Sequence, residues 1–195
     1  MDAVGFFLAQ HTNESFSDRV FGGLTDAQMR RRPAKGLNSL VWLLWHMARV
    51  EDVAVNLVVT DGRQVLDDDW IVRLNVPWRH IGTGMTEAEV GELSERTDVA
   101  AVREYRAAVR GRTRDVVRAL RPEAWDEIVG FADTSRAAAA GAFRDHRGWV
   151  TGVGYPGWQG HSRATRLAGS AIGHNAIHVG EAVTIRGLAG WDLGV

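Results

Sequence analysis

The chain has 195 residues, of which 45% are hydrophobic and 24% are charged, and its formal net charge at pH 7 is −1. This length suits one domain, and the near-zero charge argues against a nucleic-acid-binding protein, which would carry a basic surface. The absence of cysteine excludes disulfides, thiolate metal ligands and a cysteine nucleophile. Seven histidines and eight tryptophans remain as the chemically informative residues.

The N-terminal part of the chain predicts a helix, a short helical turn and then a long apolar helix. Apolar residues recur at helical spacing over residues 2–21, and a pair of glycines follows them. Thr25 and Gln28 have the spacing of a capping box, which predicts a helix start. Residues 37–60 are almost continuously apolar over their first half, so we expect this helix to be buried on most sides.

The remainder of the chain alternates irregular segments with helices. Residues 61–85 show no sustained period, and Thr86 to Glu89 is typical of another helix start. Long helices are predicted over residues 97–120 and 163–186, with a glycine- and tryptophan-rich stretch over 122–162 between them. We therefore expect a single all-α domain over residues 1–195, a helix bundle with a long irregular insertion or lid before its last helix.

The N-terminus and the apolar runs bear on location. The first residues are acidic or apolar and lack the basic segment of a signal peptide. No apolar run reaches the roughly 20 residues that a membrane-spanning helix needs. We therefore expect a cytoplasmic protein that contacts no membrane.

Three histidines form the strongest candidate for a chemical site. His174 and His178 are four residues apart, so a helix places both imidazoles on one face, one turn from each other. Such a pair also occurs as ordinary surface residues, and a zinc ion needs at least three protein ligands. His46 is the best third candidate, since a buried neutral imidazole needs partners for its nitrogens and a metal supplies one.

Helical geometry separates the acidic residues near these histidines into those far from the histidine face and one close to it. Glu51 and Asp52 lie far round the helix from His46, which favours a solvated face or a salt bridge over metal ligation. Glu181 lies about 60° round the helix from His178. It is the one candidate catalytic residue, which could instead hold a histidine by a hydrogen bond or contact a substrate amine.

The other histidines and a basic helix face are expected to have structural or surface roles. His11 fits a structural or surface position, and His80, His146 and His161 fall in predicted loops, where exposure is expected. Six arginines form one face of the helix over residues 97–120, which is typical of a solvated face paired with acids and could also bind an anion. They are Arg103, Arg106, Arg110, Arg112, Arg114 and Arg118.

Candidate substrate-pocket residues are aromatic or lie close to the histidine face. They are Trp42, Arg49, Tyr155 and Trp158. Core packing explains tryptophan equally well.

Two separated motifs resemble those of one known family. The segment Ser39–Asp52 looks like the second-helix motif of the DinB-like family, and Gly173–Glu181 with Ile185–Leu188 looks like its fourth-helix motif. The stretch Leu24–Pro33 is similar as well, and about two-thirds of the chain is covered. The resemblance implies a DinB-like four-helix bundle in which three histidines bind a metal.

The resemblance also carries expectations about ligands and chemistry. Transferred by motif, the metal ligands are His46, His174 and His178, whereas the family often has glutamine where this chain has Glu181. Characterised relatives include thiol S-transferases that use mycothiol or bacillithiol, mycothiol-dependent maleylpyruvate isomerase and a domain of ergothioneine-biosynthesis enzymes. The expected cofactor is a divalent metal, with zinc favoured over nickel, iron or manganese, all of which accept imidazole.

The expected function is metal-dependent transfer or use of a small thiol of the mycothiol type against a small electrophile. The missing cysteine is compatible with a sulfur that arrives on a co-substrate. Two alternatives stay open: a metal hydroxide that drives hydrolysis or a lyase step without thiol, and a non-enzymatic stress-response protein that binds metal. A homodimer is the default expectation for assembly.

Overall fold

A computed structural model describes residues 2–12, 15–144 and 156–195. In these ranges the regular structure is helical, and the one β contact is an isolated antiparallel bridge between Ile128 and Ser162. The prediction of an all-α fold is therefore confirmed. No helix in the described ranges combines the length and the apolar character needed to cross a membrane.

The helices are numbered in chain order. Short 3₁₀ helices occupy Pro122–Trp125 and Pro156–Trp158, and π-helical segments occupy Val53–Val59 and Gly169–Gly173. The α-helices of the described part are α1 (Ala3–Thr12), α2 (Ser15–Phe21), α3 (Asp26–Arg30), α4 (Leu40–Asp52), α5 (Asp68–Leu74), α6 (Glu87–Arg96), α7 (Val99–Ala119), α8 (Phe131–Ala139), α9 (Arg163–Ala168) and α10 (His174–Leu188).

Helix α4 is the centre of the fold. Ser39 caps it, because its hydroxyl accepts the amide N–H of Trp42 at 3.1 Å. Every residue of α4 is buried, which agrees with its apolar sequence, and the helix continues into the first π-helical segment. It packs against α7 and α10, while α1 contacts α7 and the π-helical segment that precedes α10.

Two predicted segments differ from the structure. The helix predicted over residues 2–21 corresponds to α1 and α2, and residues 13–14 between them lie outside the described part. The connection over 61–85 contains α5, which Asp67 caps by accepting the amide N–H of Trp70 at 2.9 Å. The stretch 122–162 is not irregular throughout, because it contains α8, which packs against the π-helical extension of α4.

Of the two alternatives for Glu51 and Asp52, a solvated face and a salt bridge, the structure excludes the solvated face, because both carboxylates are fully buried in hydrogen-bonded clusters. Asp52 receives the guanidinium of Arg49 at 3.0 Å and the hydroxyl of Tyr105 at 2.6 Å. It also accepts the side-chain amide of Asn56 at 2.8 Å. The salt-bridge alternative is therefore the correct one for this residue.

Side chains from three other helices contact the carboxylate of Glu51. His11 of α1 lies 2.8 Å from Oε1, and Thr113 of α7 donates to the same oxygen at 2.7 Å. Arg106 of α7 and Asn175 of α10 donate to Oε2 at 2.8 Å and 3.0 Å. One carboxylate on α4 thus joins four helical segments of the protein.

This cluster also bears on two expectations from the sequence. Of the structural and surface alternatives for His11, the structural one is confirmed, because His11 is buried against Glu51. Arg106 does not belong to a solvated basic face, because it is 5% exposed and paired with Glu51. Its neighbour Arg110 does face outward to an acid, Asp18, at 3.3 Å.

The Glu51 cluster predicts a specific loss of stability in acid. Burial alone would raise the pKa of Glu51, but Arg106, His11 and Thr113 outweigh it and lower the pKa from 4.5 to about 2. A carboxylate whose pKa is lower in the folded protein stabilises it above pH 4.5, and this contribution disappears as the pH falls toward 2. We expect a loss of about 3 kcal/mol in the free energy of unfolding across that window.

Urea titrations of the wild type and of Glu51→Gln between pH 7 and pH 2.5 test this prediction. The variant is less stable at pH 7, and its free energy of unfolding falls less steeply with acid because the titrating group is gone. Equal slopes for the two proteins below pH 4.5 would show that Glu51 does not carry the effect.

Candidate metal centre

Three histidine side chains from two helices converge on one point. His46 comes from α4, and His174 and His178 come from the first turns of α10. The Nε2 atom of His174 lies 3.2 Å from Nε2 of His46 and 3.2 Å from Nε2 of His178. The three potential ligand atoms all lie within 4.8 Å of one another, so this group could hold a metal ion.

The orientation of His46 is set by its other ring nitrogen. Nδ1 makes a short hydrogen bond to the backbone carbonyl of Ile81, and a carbonyl can only accept, so the Nδ1 atom carries the proton. Trp42 stacks on the imidazole, with ring centroids 4.6 Å apart and planes 21° from parallel. The Nε2 atom therefore presents an unprotonated lone pair to the centre.

His178 is held in the same way by a carboxylate. Its Nδ1 lies 2.9 Å from Oε2 of Glu181, one turn further along α10. The other oxygen of Glu181 accepts the side-chain amide of Asn38 at 2.9 Å. Burial favours a higher pKa for Glu181, but the hydrogen bonds from His178 and Asn38 produce a net lowering of the pKa. Glu181 is thus an ionised acceptor for the Nδ1–H of His178, and this contact turns Nε2 of the same ring inward.

Burial keeps His46 and His174 neutral. It lowers the pKa of His46 well below 6.5, with His174 and His178 as the next causes. It also lowers the pKa of His174 to about 4, assisted by His178. Neutral imidazole is the form that binds metal ions, so neither of these two rings has to lose a proton at pH 7 before a metal can bind.

The donor set fits a divalent cation. His46 and His178 each present an Nε2 lone pair, and His174 has at most one Nε2 proton to share between them. A cation satisfies all three lone pairs at once. Ligands about 2.0–2.1 Å from zinc in a tetrahedron stand roughly 3.3 Å apart. The Nε2 atom of His174 lies at a similar distance, 3.2 Å, from Nε2 of each of the other two histidines.

Gly82 allows the backbone to approach His46 this closely. Its φ of +93° lies in the region that favours glycine, and a Cβ atom there would lie 2.7 Å from Trp45 and 3.3 Å from Nδ1 of His46. The adjacent Ile81 carbonyl is the acceptor that orients His46. Nothing in the periodicity of residues 61–85 pointed to this role, because the loop is close to His46 only in three dimensions.

The predicted pocket residues do not form one group with the histidines. Trp42 contacts His46, as described above. Arg49 lies elsewhere, because its fully buried side chain binds Asp52 and Tyr105, so it lines no open pocket. Trp158 packs against Phe143 in a separate apolar cluster, with ring centroids 5.3 Å apart.

The remaining predicted site residues are placed as follows. His80 is 9% exposed rather than on the surface, and burial lowers its pKa to about 4, with Arg144 the next cause. His161 is exposed, as expected. Tyr155 and His146 lie outside the described residues. Asn38, which directly precedes the helix cap Ser39, donates its side-chain amide to Glu181 and is a residue of the site that the sequence analysis did not identify.

A family model described as the DinB superfamily matches residues 11–182. The chain belongs to the DinB superfamily. A crystal structure of a conserved protein from Enterococcus faecalis is similar over 95% of this chain and 94% of its own, with a TM-score of 0.64 and 20% identity. That similarity shows the fold alone, and no curated protein matched the chain. The family resemblance read from the two motifs is confirmed.

Removal of His174 should destroy metal binding, because only two imidazoles would then remain. We expect His174→Ala to hold less than a stoichiometric amount of divalent metal when the purified protein is analysed by elemental mass spectrometry. His161→Ala, which removes an exposed histidine, is the matched control and should keep the wild-type metal content. Full occupancy in His174→Ala would contradict the site assignment.

Gly82→Ala should weaken metal binding without changing a ligand. The added Cβ pushes on Trp45 and His46, so we expect affinity to fall by about 10–100-fold, the range typical for loss of a group that orients a ligand. Competition with a chromophoric zinc chelator measures this. Gly190→Ala is the control, since its φ is +73° but a Cβ would meet no atom within 4 Å. Equal losses in both variants would indicate backbone strain alone.

Proposed function

We propose that this DinB-superfamily protein is a metal-dependent enzyme that transfers or uses a low-molecular-weight thiol of the mycothiol type against a small electrophile. The observation that carries the proposal is the convergence of three Nε2 atoms on one point. Within the described residues, that group contains three protein ligands, whereas zinc takes four or five. A three-ligand site is the arrangement of catalytic rather than structural zinc.

A divalent metal bound here would lower the pKa of a thiol or water that reached it, which makes either one a stronger nucleophile at neutral pH. The chain has no cysteine, so a sulfur nucleophile has to be supplied by a small molecule. These two facts together favour an external thiol as co-substrate. Zinc is the favoured metal, and nickel, iron and manganese also accept imidazole.

The protein's own residues orient the ligands and shield them from water. Ile81 and Glu181 each accept a hydrogen bond from an Nδ1–H group, which directs the Nε2 atoms of His46 and His178 inward. Trp42 covers one face of His46. Its indole N–H is directed at the sulfur of Met85 at 3.3 Å, which fixes the ring beside the site.

Glu181 fits an orienting role better than that of a general base. Both of its oxygens already accept hydrogen bonds, one from His178 and one from Asn38. Its lowered pKa also makes it a weak proton acceptor. We therefore assign no catalytic base among the described residues.

Two alternatives share the same site. A hydrolase or lyase would use metal-activated water and would need no thiol. A non-enzymatic stress-response protein would use the metal structurally, which the three-ligand donor set disfavours. The assembly and partner expectations, a homodimer with small-molecule substrates and no nucleic acid, stay part of the proposal.

A thiol-dependent assay separates these alternatives. Zinc-loaded protein is mixed with an epoxide, an aryl halide or a conjugated alkene, with mycothiol, bacillithiol or glutathione, or with no thiol. We expect product formation with one of these thiols at least about 100-fold above the uncatalysed rate, and none in His174→Ala. Turnover without thiol would establish the hydrolytic alternative. No turnover with any thiol, despite full metal loading, would contradict the proposal.

A further inference from the structure

We propose that Glu51 and Asn175 are positioning residues of the metal centre: the hydrogen bond between them holds α10, which carries His174 and His178, at the distance from α4 that the three ligands require. This inference rests on the metal centre of the proposed function but not on its thiol chemistry. Neither residue touches the point where the three Nε2 atoms meet, so any effect on the metal passes through the ligands.

Asn175 links the ligand helix to its neighbours with both hydrogens of one amide group. Its Nδ2 atom donates to Oε2 of Glu51 at 3.0 Å and to the backbone carbonyl of Ala171 at 2.7 Å. Asn175 directly follows His174 in the chain, and Ala171 lies in the π-helical segment that leads into α10. The side chain therefore fixes both the start of α10 and the turn before it.

Glu51 is a fixed anchor for this bond rather than a mobile partner. Its other hydrogen bonds come from His11, Thr113 and Arg106, on α1 and α7. The side chain is fully buried, and it follows His46 by five residues on the same helix. Glu51 thereby fixes the position of α10 relative to α4, the helix that also carries the ligand His46.

Metal coordination is sensitive to small errors in this spacing. Metal–ligand distances hold to within about 0.2 Å, so a slight movement of α10 would misplace two of the three nitrogens together. Groups that orient ligands in this way commonly change metal affinity 10–100-fold when they are removed. Loss of the Asn175 amide should therefore weaken metal binding even though every ligand remains.

The chain offers a closely matched control for this test. Asn56 is a second buried asparagine, and its Nδ2 atom donates to the buried carboxylate of Asp52 at 2.8 Å. The two asparagines make the same kind of bond to adjacent carboxylates of α4. Asn56, however, lies on the extension of α4 itself and does not tie α4 to α10. Substitution of Asn56 by alanine removes an equivalent bond, together with a hydrogen bond from Arg112 of α7 at 3.2 Å, without freeing the ligand helix.

The experiment compares Asn175→Ala with Asn56→Ala in the full chain. Zinc affinity is measured by chelator competition, the visible absorption spectrum of the Co²⁺-loaded protein reports ligand geometry, and urea unfolding of the metal-free proteins reports stability. We expect both variants to be less stable, but only Asn175→Ala to bind zinc about 10–100-fold more weakly and to show an altered Co²⁺ spectrum. Asn56→Ala should stay within about threefold of wild-type affinity.

Two results would overturn the proposal. One is wild-type zinc affinity and an unchanged Co²⁺ spectrum in Asn175→Ala, and the other is an equal loss of affinity in both variants, which would reflect stability alone. If Asn175→Ala does not fold, Asn175→Leu, which keeps more of the side-chain volume, is tested against the same outcomes. A wild-type protein that binds no metal would refute the proposed function as well, whereas wild-type binding with unaffected variants would refute this inference only.

Discussion

The buried carboxylate of Glu51 is the constraint on which the rest of the structure depends. An ionised group with no exposure to water is costly unless donors replace its hydration, and here α1, α7 and α10 each supply them. The donors satisfy the charge only when these helices stand in one arrangement around α4. An apolar contact would tolerate sliding, whereas four directional hydrogen bonds do not.

The metal centre also constrains how α4 and α10 are placed against each other. The Nδ1–H groups of His46 and His178 donate to Ile81 and Glu181, so the Nε2 atoms of both rings point into the same partly buried space. Such an arrangement is unfavourable without a cation, which makes it informative about what the site is built to hold. Burial also keeps His46 and His174 neutral, which is the form of imidazole that binds a metal ion.

The Glu51 cluster and the metal centre both include residues of α4, and this explains the unusual composition of that helix. Its residues are all buried, yet it contains a histidine, an arginine and two carboxylates among apolar side chains. Arg49 and Asp52 form hydrogen bonds with each other and with Tyr105. Glu51 contacts side chains of α1, α7 and α10. A purely apolar α4 would bury as much surface but would not specify how α7 and α10 are placed against it.

The sequence by itself determined the helical class, the family and the three histidines of the candidate site. Helical period placed His174 and His178 on one face, and the motif around His46 supplied the third histidine, because these signals depend on short spacings within single helices.

The tertiary structure alone decided the partners: the Ile81 carbonyl for His46, Asn38 for Glu181, and burial rather than solvation for Glu51. Periodicity shows which side of a helix a residue occupies, but the element that packs against that side is set by long-range packing. A buried ion pair and a solvated charge therefore look identical in the sequence until the neighbouring helix is known.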